Sequence, residues 1–310
     1  MSKSDDSSLS DEQLAIVKRH ANCLLRDASS FGRFPTPVSD LMAAAKLTVV
    51  EDEILDADFL SRALRKAKAG IATLKSALSK VWGLFESKDR IVVIDQVVPK
   101  PKRPFVKLHE AGHGYMPHQC SLYSLMHDCE KTLDPDITDL FEREANVFAS
   151  EVLFQGDTFA TDAQQSEFSQ KVAIRLAKKY GASNYSTFRR YVTTSYEPCC
   201  LVVLNLPFRD ELGQVSAQVR RVIVSKSFAT IYEPSAFLLT ITHLHPLASA
   251  IPIPFTRRIV NPHAIWLMDR NGAARAATIE SFNTTHQILV LVRDKGTTKP
   301  RKVFVPAQFS

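Results

Sequence analysis

Three residues between Val106 and His118 have the types and spacing of a hydrolytic metal site. His109, Glu110 and His113 form the pattern H-E-x-x-H. Residues four apart lie on one face of a helix, so the two histidines can direct their imidazoles at one metal ion. The glutamate beside them can take a proton from a water that the metal activates. The pattern predicts zinc as Lewis acid and Glu110 as general base, although so short a pattern also occurs on unrelated surface helices.

The third ligand is expected on a second helix downstream, because a catalytic zinc usually has three protein ligands and a water. Residues 140–154 read L-F-E-R-E-A-N-V-F-A-S-E-V-L-F, with apolar residues at helical spacing. This predicted helix offers two carboxylates near its start, Glu142 and Glu144. On the first helix, the small residue Gly112 would let another backbone come close.

The two segments together resemble a known pair of motifs. H-E-A-G-H followed by E-R-E-A-N-V-F-A-S-E-V-L is similar to the H-E-x-G-H and E-x-E-A-N-x-F-A-x-x-L-L motifs of the ImmA/IrrE family of zinc metallopeptidases. The resemblance extends to about residue 200. It implies a gluzincin-like site in which His109, His113 and a glutamate of the second motif hold zinc, with Glu110 as the base. A ligand set of this kind also suits manganese or another divalent ion.

The same resemblance favours Glu142 over Glu144 as the third ligand. In related zincins the ligand glutamate lies four residues before an Asp or Asn that supports the ligands, and here that residue is Asn146. Glu144 stays open as the alternative ligand, and its other interpretation is a solvated helix carboxylate. Tyr115 follows the first motif and is a candidate donor to the tetrahedral oxyanion, with capping or packing of the helix as its other role.

The predicted fold class is α+β. Residues 1–9 are polar and expected to be disordered, and residues 10–160 form a mainly helical, zincin-like metallopeptidase domain with a small sheet. Residues 161–198 form a helix-turn-helix-like segment, for which packing is favoured over DNA contact. Residues 199–310 alternate strand-like runs with Pro and polar loops, which predicts a β-rich or α+β domain. The resemblance implies a sensory role for that domain.

Several elements follow from the periodicity of apolar residues. Predicted helices cover residues 11–27, 41–46, 57–86, 140–154, 164–179 and 185–193, and predicted strands cover 47–50, 91–95, 201–206, 219–224, 237–242, 286–292 and 302–305. The strand at 91–95 is the candidate sheet edge on which an extended substrate would lie. His243 and His245 are expected to alternate on a strand and so to face the same side, with a structural role favoured over metal or ligand binding.

Composition excludes some classes of protein. There is no apolar run of 18 residues, so no membrane span is expected. The polar N-terminus does not read as a secretory signal. The five cysteines are an odd number, which favours reduced thiols and a cytoplasmic protein.

The sequence therefore predicts a zinc-dependent metalloendopeptidase. The resemblance implies a protein substrate, a helix-turn-helix transcriptional repressor whose cleavage releases stress or mobile-element genes. The alternative is a non-catalytic DNA- or ligand-binding regulatory protein built on a zincin scaffold. A net charge of +6 leaves nucleic-acid contact open, although it is not the favoured interpretation.

Overall fold

The structure is a computed structural model that describes residues 8–52, 83–87, 89–122, 134–209, 213–234 and 240–296. The chain divides into two compact units. The first comprises residues 1–162 and 176–183, and the second comprises residues 163–175 and 184–310. The predicted segment 161–198 is thus shared between the two units. No described helix is long and apolar enough to cross a bilayer.

The first unit begins with helix α1, Asp11–Asp27. Ser10 accepts a hydrogen bond from the Gln13 amide, and the Gln13 side chain accepts one from the Ser10 amide. This capping box satisfies two backbone groups that would otherwise lack partners at the helix start. Its buried face consists of Val17, Ala21, Leu24 and Leu25. The structure confirms the predicted helix and the positions of both its ends.

A short helix and a three-stranded sheet follow. They are α2 (Val38–Ala44), β1 (Thr48–Asp52), β2 (Gly83–Glu86) and β3 (Ile91–Asp95). The strand order is β1-β3-β2, with β1 parallel and β2 antiparallel to β3.

Two predictions about this sheet are wrong. Residues 91–95 form the central strand of the described sheet rather than its edge, because β1 and β2 pair with its two sides. Residues 83–86 form strand β2 rather than the end of a helix, because pairing with β3 satisfies their backbone groups. The rest of that predicted helix, residues 57–82, lies outside the described residues.

Two helices carry the motifs. Helix α3, Arg103–Tyr115, has a proline in its first turn, where no amide donor is needed. Helix α4, Pro135–Leu153, starts in the same way after its N-cap Asp134. A Cβ on Gly112 would lie 3.3 Å from the Ala145 Cα and 3.2 Å from the Phe148 ring, so the two backbones approach closely at this point.

Arg90 fixes the C-terminal end of α3. Its guanidinium donates to the carbonyl of Ala45 at 2.8 Å, of Lys46 at 3.1 Å and of Gly114 at 3.2 Å. These carbonyls lie at helix ends, where they have no partner within the helix. One side chain therefore joins the ends of α2 and α3.

Three further helices are α5 (Thr158–Gln164), α6 (Gln170–Tyr180) and α7 (Asn184–Thr193). The predicted helix at 164–179 is in fact the end of α5, a break and then α6. Gly181, at φ +69°, makes the turn before α7. On α6, Lys179 pairs with Asp162 at 2.7 Å and Arg175 donates to Ser166 at 2.8 Å. Both cations thus have partners within the protein, and the choice between packing and DNA contact for this segment stays a prediction.

The second unit contains a five-stranded antiparallel sheet. Its strands are β4 (Cys199–Leu204), β7 (Val219–Val224), β8 (Ile259–Met268), β9 (Ala274–Asn283) and β10 (Ile288–Gly296). Their order in the sheet is β7-β4-β10-β9-β8. A separate pair of strands consists of β5 (Phe208–Arg209) and β6 (Val215–Ser216). Helix α8, Lys226–Ile231, packs on β4 through buried Phe228. With a helical first unit and this β-rich second unit, the α+β fold class is confirmed.

The histidine pair of this unit does not lie on a strand. His243 is in a turn, and the His245 imidazole caps a 3-10 turn by accepting from the Leu247 amide at 3.1 Å. Ile241 pairs with Ala217 as an isolated bridge, while the predicted strand residues 237–239 and 302–305 lie outside the described residues. The predicted strand arrangement of His243 and His245 is therefore wrong.

The second unit contains a buried carboxylate, that of Asp294, which has several hydrogen-bond partners. The Asp294 carboxylate accepts from the Arg275 guanidinium at 2.8 and 3.0 Å and from the Tyr232 hydroxyl at 2.7 Å. Burial alone would raise the pKa of Asp294, but the Arg275 and Tyr232 hydrogen bonds outweigh it and hold the pKa below the usual 3.8. A carboxyl with a lowered pKa stabilises the fold above its unfolded pKa, and this contribution is lost as the pH falls through the folded pKa.

We expect Asp294→Asn to lower the free energy of unfolding by about 3 kcal/mol at neutral pH, because it leaves a partly buried guanidinium without its anion. Trp266 fluorescence during urea unfolding, in a Trp82→Phe background, reports this unit. Wild type and variant should converge as the pH falls below 3.8. As a control, Glu233→Gln removes the exposed ion pair with Arg270 and should cost less than about 1 kcal/mol. Equal costs for the two variants would contradict this account.

Candidate metal centre

Helices α3 and α4 bring three donor side chains together. The Nε2 atoms of His109 and His113 lie 3.3 Å apart. The Glu142 carboxylate lies 3.4 Å from the Nε2 of His109 and 3.7 Å from that of His113. Among the described residues, this trio forms a group of His, Cys, Asp or Glu donors close enough to share one ion.

The spacing of these atoms suits a tetrahedral divalent ion. Zinc binds imidazole nitrogen and carboxylate oxygen at about 2.0–2.2 Å, so two ligand atoms of a tetrahedral site lie about 3.4 Å apart. The three distances of 3.3, 3.4 and 3.7 Å are close to that value. The imidazole nitrogens of buried His113 and partly buried His109 face each other and a carboxylate, which is the donor chemistry that zinc prefers.

Glu110 lies on the side of α3 that faces β2. It is buried, and it accepts a hydrogen bond from the Phe85 amide. Burial raises the pKa of Glu110 to about 7, the His109 charge opposes this rise, and the Glu142 charge adds to it. A carboxyl whose pKa lies near the operating pH can both accept and return a proton.

The two imidazoles differ in their surroundings. Burial, followed by the His109 charge, lowers the pKa of His113 to about 4, so this ring is neutral at pH 7. Burial also opposes protonation of His109, but hydrogen bonds and charges from Glu142 and Glu110 outweigh it and raise the pKa of His109. The Asn146 side chain lies within hydrogen-bonding reach of His109.

The segment that carries these two helices matches a known protein family. The model of the IrrE N-terminal-like domain, Peptidase_M78, matches residues 67–189. This segment belongs to the Peptidase_M78 family. The resemblance to ImmA/IrrE proteins is thereby confirmed, and the Peptidase_M78 segment contains both helices that carry the donor trio.

One solved structure extends the fold comparison over most of the chain. It is a Mycobacterium tuberculosis transcriptional regulator, 13% identical, with a TM-score of 0.52 over 90% of this chain and 88% of that chain. At this identity the likeness concerns the fold alone. A comparison with curated protein sequences finds no match.

The other candidate residues of the Peptidase_M78 segment have different partners. Glu144 is buried, and its Oε2 accepts from the Gln119 amide and bonds His118, each at 2.6 Å. It is therefore neither in the donor trio nor a solvated carboxylate. The Tyr115 hydroxyl donates to Asp27 at 2.9 Å, which joins α3 to α1 and gives this residue a packing role.

Two residues that contact the site, Gly83 and Gln119, lie outside both sequence motifs. Gly83 contacts Glu110 so closely that an added Cβ would lie 2.8 Å from its Cγ, its Oε1 and the Val106 Cγ1. Gln119 accepts a hydrogen bond from the His113 Nδ1 at 2.7 Å. Both act through contacts between segments that sequence spacing does not predict.

The second unit has a cavity of about 230 Å³. It is lined by Glu167, Phe168, Ser169, Pro262, Thr278, Glu280, Leu291, Arg293 and Lys295. Arg293 pairs there with Glu167 and Glu197, so its charge is already compensated within the protein. No ligand class follows from this lining, and the sensory role of residues 199–310 stays a prediction.

We expect Gly83→Ala to lower the free energy of unfolding of the first unit by about 1–3 kcal/mol, because the added methyl overpacks against Glu110 and Val106. Trp82 fluorescence during urea unfolding, in a Trp266→Phe background, measures this cost. In a Glu110→Ala background the cost should be smaller, since two of the three close contacts are then absent. An Asp40→Ala background serves as the control, because Asp40 pairs with Arg33. The same cost in all backgrounds would mean that Gly83 does not hold Glu110.

Proposed function

We propose that this chain is a zinc-dependent endopeptidase that cleaves a protein substrate. His109, His113 and Glu142 would hold the metal, Asn146 would support the ligands, and Glu110 would act as the general base. The observation that carries this proposal is the spacing of the three donor side chains, whose donor atoms lie 3.3–3.7 Å apart. The buried carboxyl of Glu110 lies next to His109 on α3. Membership of residues 67–189 in a metallopeptidase family supports it.

The reaction would be hydrolysis of a peptide bond. When bound, a zinc ion supplies Lewis acidity, which polarises a carbonyl and makes a water more acidic. Glu110 takes a proton from the attacking water as the new C–O bond forms, and it delivers that proton to the amine as the C–N bond breaks. The Phe85 amide and the close contact with Gly83 keep the carboxyl in one orientation during both transfers.

Strand β2 is the proposed position for the substrate. Among the described residues it pairs with β3 alone, and its Gly83 lies against Glu110. An extended peptide that pairs with β2 would gain main-chain hydrogen bonds and bring a carbonyl close to the base. Strand β2 therefore replaces the central strand β3 as the proposed strand on which the substrate lies.

The proposed substrate is a helix-turn-helix transcriptional repressor, and the proposed setting is stress or mobile-element regulation in the cytoplasm. The resemblance to ImmA/IrrE proteins supports this choice. Zinc is preferred over manganese because the trio has two imidazole nitrogens and one carboxylate oxygen, at distances that suit a tetrahedral ion.

We expect Glu110→Gln to bind zinc as wild type does and to lose proteolysis by at least about 100-fold, because an amide cannot take the proton. The measurement is a map of new protein N-termini after incubation of each zinc-loaded protein with a lysate of the host cell. New N-termini in DNA-binding proteins should appear with the wild-type protein and not with Glu110→Gln. His113→Ala should lose both zinc and proteolysis.

The regulatory-scaffold alternative gives a different result. There, wild type and Glu110→Gln would yield the same N-termini, and a complex with duplex DNA would weaken steeply as salt rises. That pair of results would overturn the peptidase proposal.

A further inference from the structure

A chain of buried hydrogen bonds runs behind the donor trio. The His113 Nδ1 bonds the Gln119 Oε1 at 2.7 Å. The Gln119 Nε2 donates to the Glu144 carboxylate at 2.6 Å and to the Phe141 carbonyl at 3.3 Å. Gln119 is fully buried, and the Glu144 side chain is 7% exposed.

The partners of Gln119 fix the orientation of its amide. A carboxylate and a carbonyl can only accept hydrogen bonds, so the nitrogen of the amide must face Glu144 and Phe141. The oxygen then faces His113, and it can only accept. The His113 Nδ1 must therefore carry the proton, which leaves the lone pair on Nε2, the atom that faces His109 and Glu142.

Glu144 holds Gln119 in turn. Its Oε2 accepts from the Gln119 Nε2 and bonds the Nε2 of His118, each at 2.6 Å. Because hydrogen bonds to a charged acceptor are short and strong, the Gln119 amide is held more firmly than by a neutral partner.

We infer that Gln119, held by Glu144, is a positioning residue that sets the tautomer and ring orientation of His113 for metal binding. The inference rests on the proposed function, because it takes His113 to be a ligand. It also gives Glu144 a distinct task. Glu142 faces the metal directly, and Glu144, two residues later on α4, acts through Gln119.

The test measures the zinc Kd of each purified full-length protein by competition with a chelator. Gln119→Leu should raise the Kd by about 10- to 100-fold, the usual effect of losing an outer partner of a ligating histidine. The matched control is Gln155→Leu. Gln155 is also buried in the first unit, where its amide bonds Gly32 and Arg33. Its loss should lower the melting temperature of the metal-free protein and leave the Kd unchanged.

A second pair of variants separates positioning from direct ligation. Glu144→Gln keeps an oxygen that can accept from Gln119, so its zinc Kd should stay within about 10-fold of wild type, well short of a lost ligand. Glu142→Gln replaces a charged donor by an amide and should lose tight binding. Should Gln119→Leu fail to fold, Gln119→Asn keeps an amide that is one methylene too short to join His113 to Glu144, and its Kd should also rise.

The outcomes distinguish this inference from the proposed function. If wild type and Gln119→Leu bind zinc with the same Kd while Glu142→Gln does not bind, the inference is wrong and the peptidase proposal stands. If Glu144→Gln loses zinc as fully as Glu142→Gln, Glu144 is a ligand and the positioning role is also wrong. If wild type binds no zinc, both proposals fall together.

Discussion

The close approach of α3 and α4 at Gly112 is the contact on which the site depends. Ala145 and the Phe148 ring lie against this glycine, so a larger residue would push the helices apart. The donor atoms of His113 and Glu142 lie 3.7 Å apart on these two helices. A separation larger by about 1 Å would exceed the span that one tetrahedral zinc can bridge.

Burial sets the chemistry of the groups held in this way. Polar and charged side chains lose their hydrogen bonds to water on burial, and they need protein partners in place of that water. The structure supplies these bonds from outside the motifs, through the Phe85 amide to Glu110 and through Gln119 to His113. The same rule governs the second unit, where Arg275 and Tyr232 satisfy the buried Asp294.

Local spacing predicted the first part of the site, because His109, Glu110 and His113 need only one helix to bring them together. The choice between Glu142 and Glu144 depends on the rotation of α4 about its axis, which is set by packing against α3. The structure turns Glu142 toward the histidines and Glu144 toward Gln119 and His118, while the role of Glu142 as ligand stays a prediction. Gly83 and Gln119 act across segments, so no local pattern identifies them.

The same distinction explains the elements that were predicted and those that were missed. Helix α1 has its capping box within its own sequence, and its ends were predicted correctly. Strand β8 contains Pro262, which normally argues against a strand. Here the proline sits at a register shift on an edge strand, where its missing amide is tolerated. Strand β9 is rich in alanine and gave no strand signal, because its conformation comes from pairing with two neighbours.

The most direct test of the central claim is a crystal structure of the zinc-loaded protein with anomalous diffraction measured at the zinc absorption edge. We predict one strong peak per chain at about 2.0–2.2 Å from the Nε2 atoms of His109 and His113 and from a carboxylate oxygen of Glu142. A peak bonded to His118 and Glu144, or no peak from protein saturated with zinc, would contradict the account.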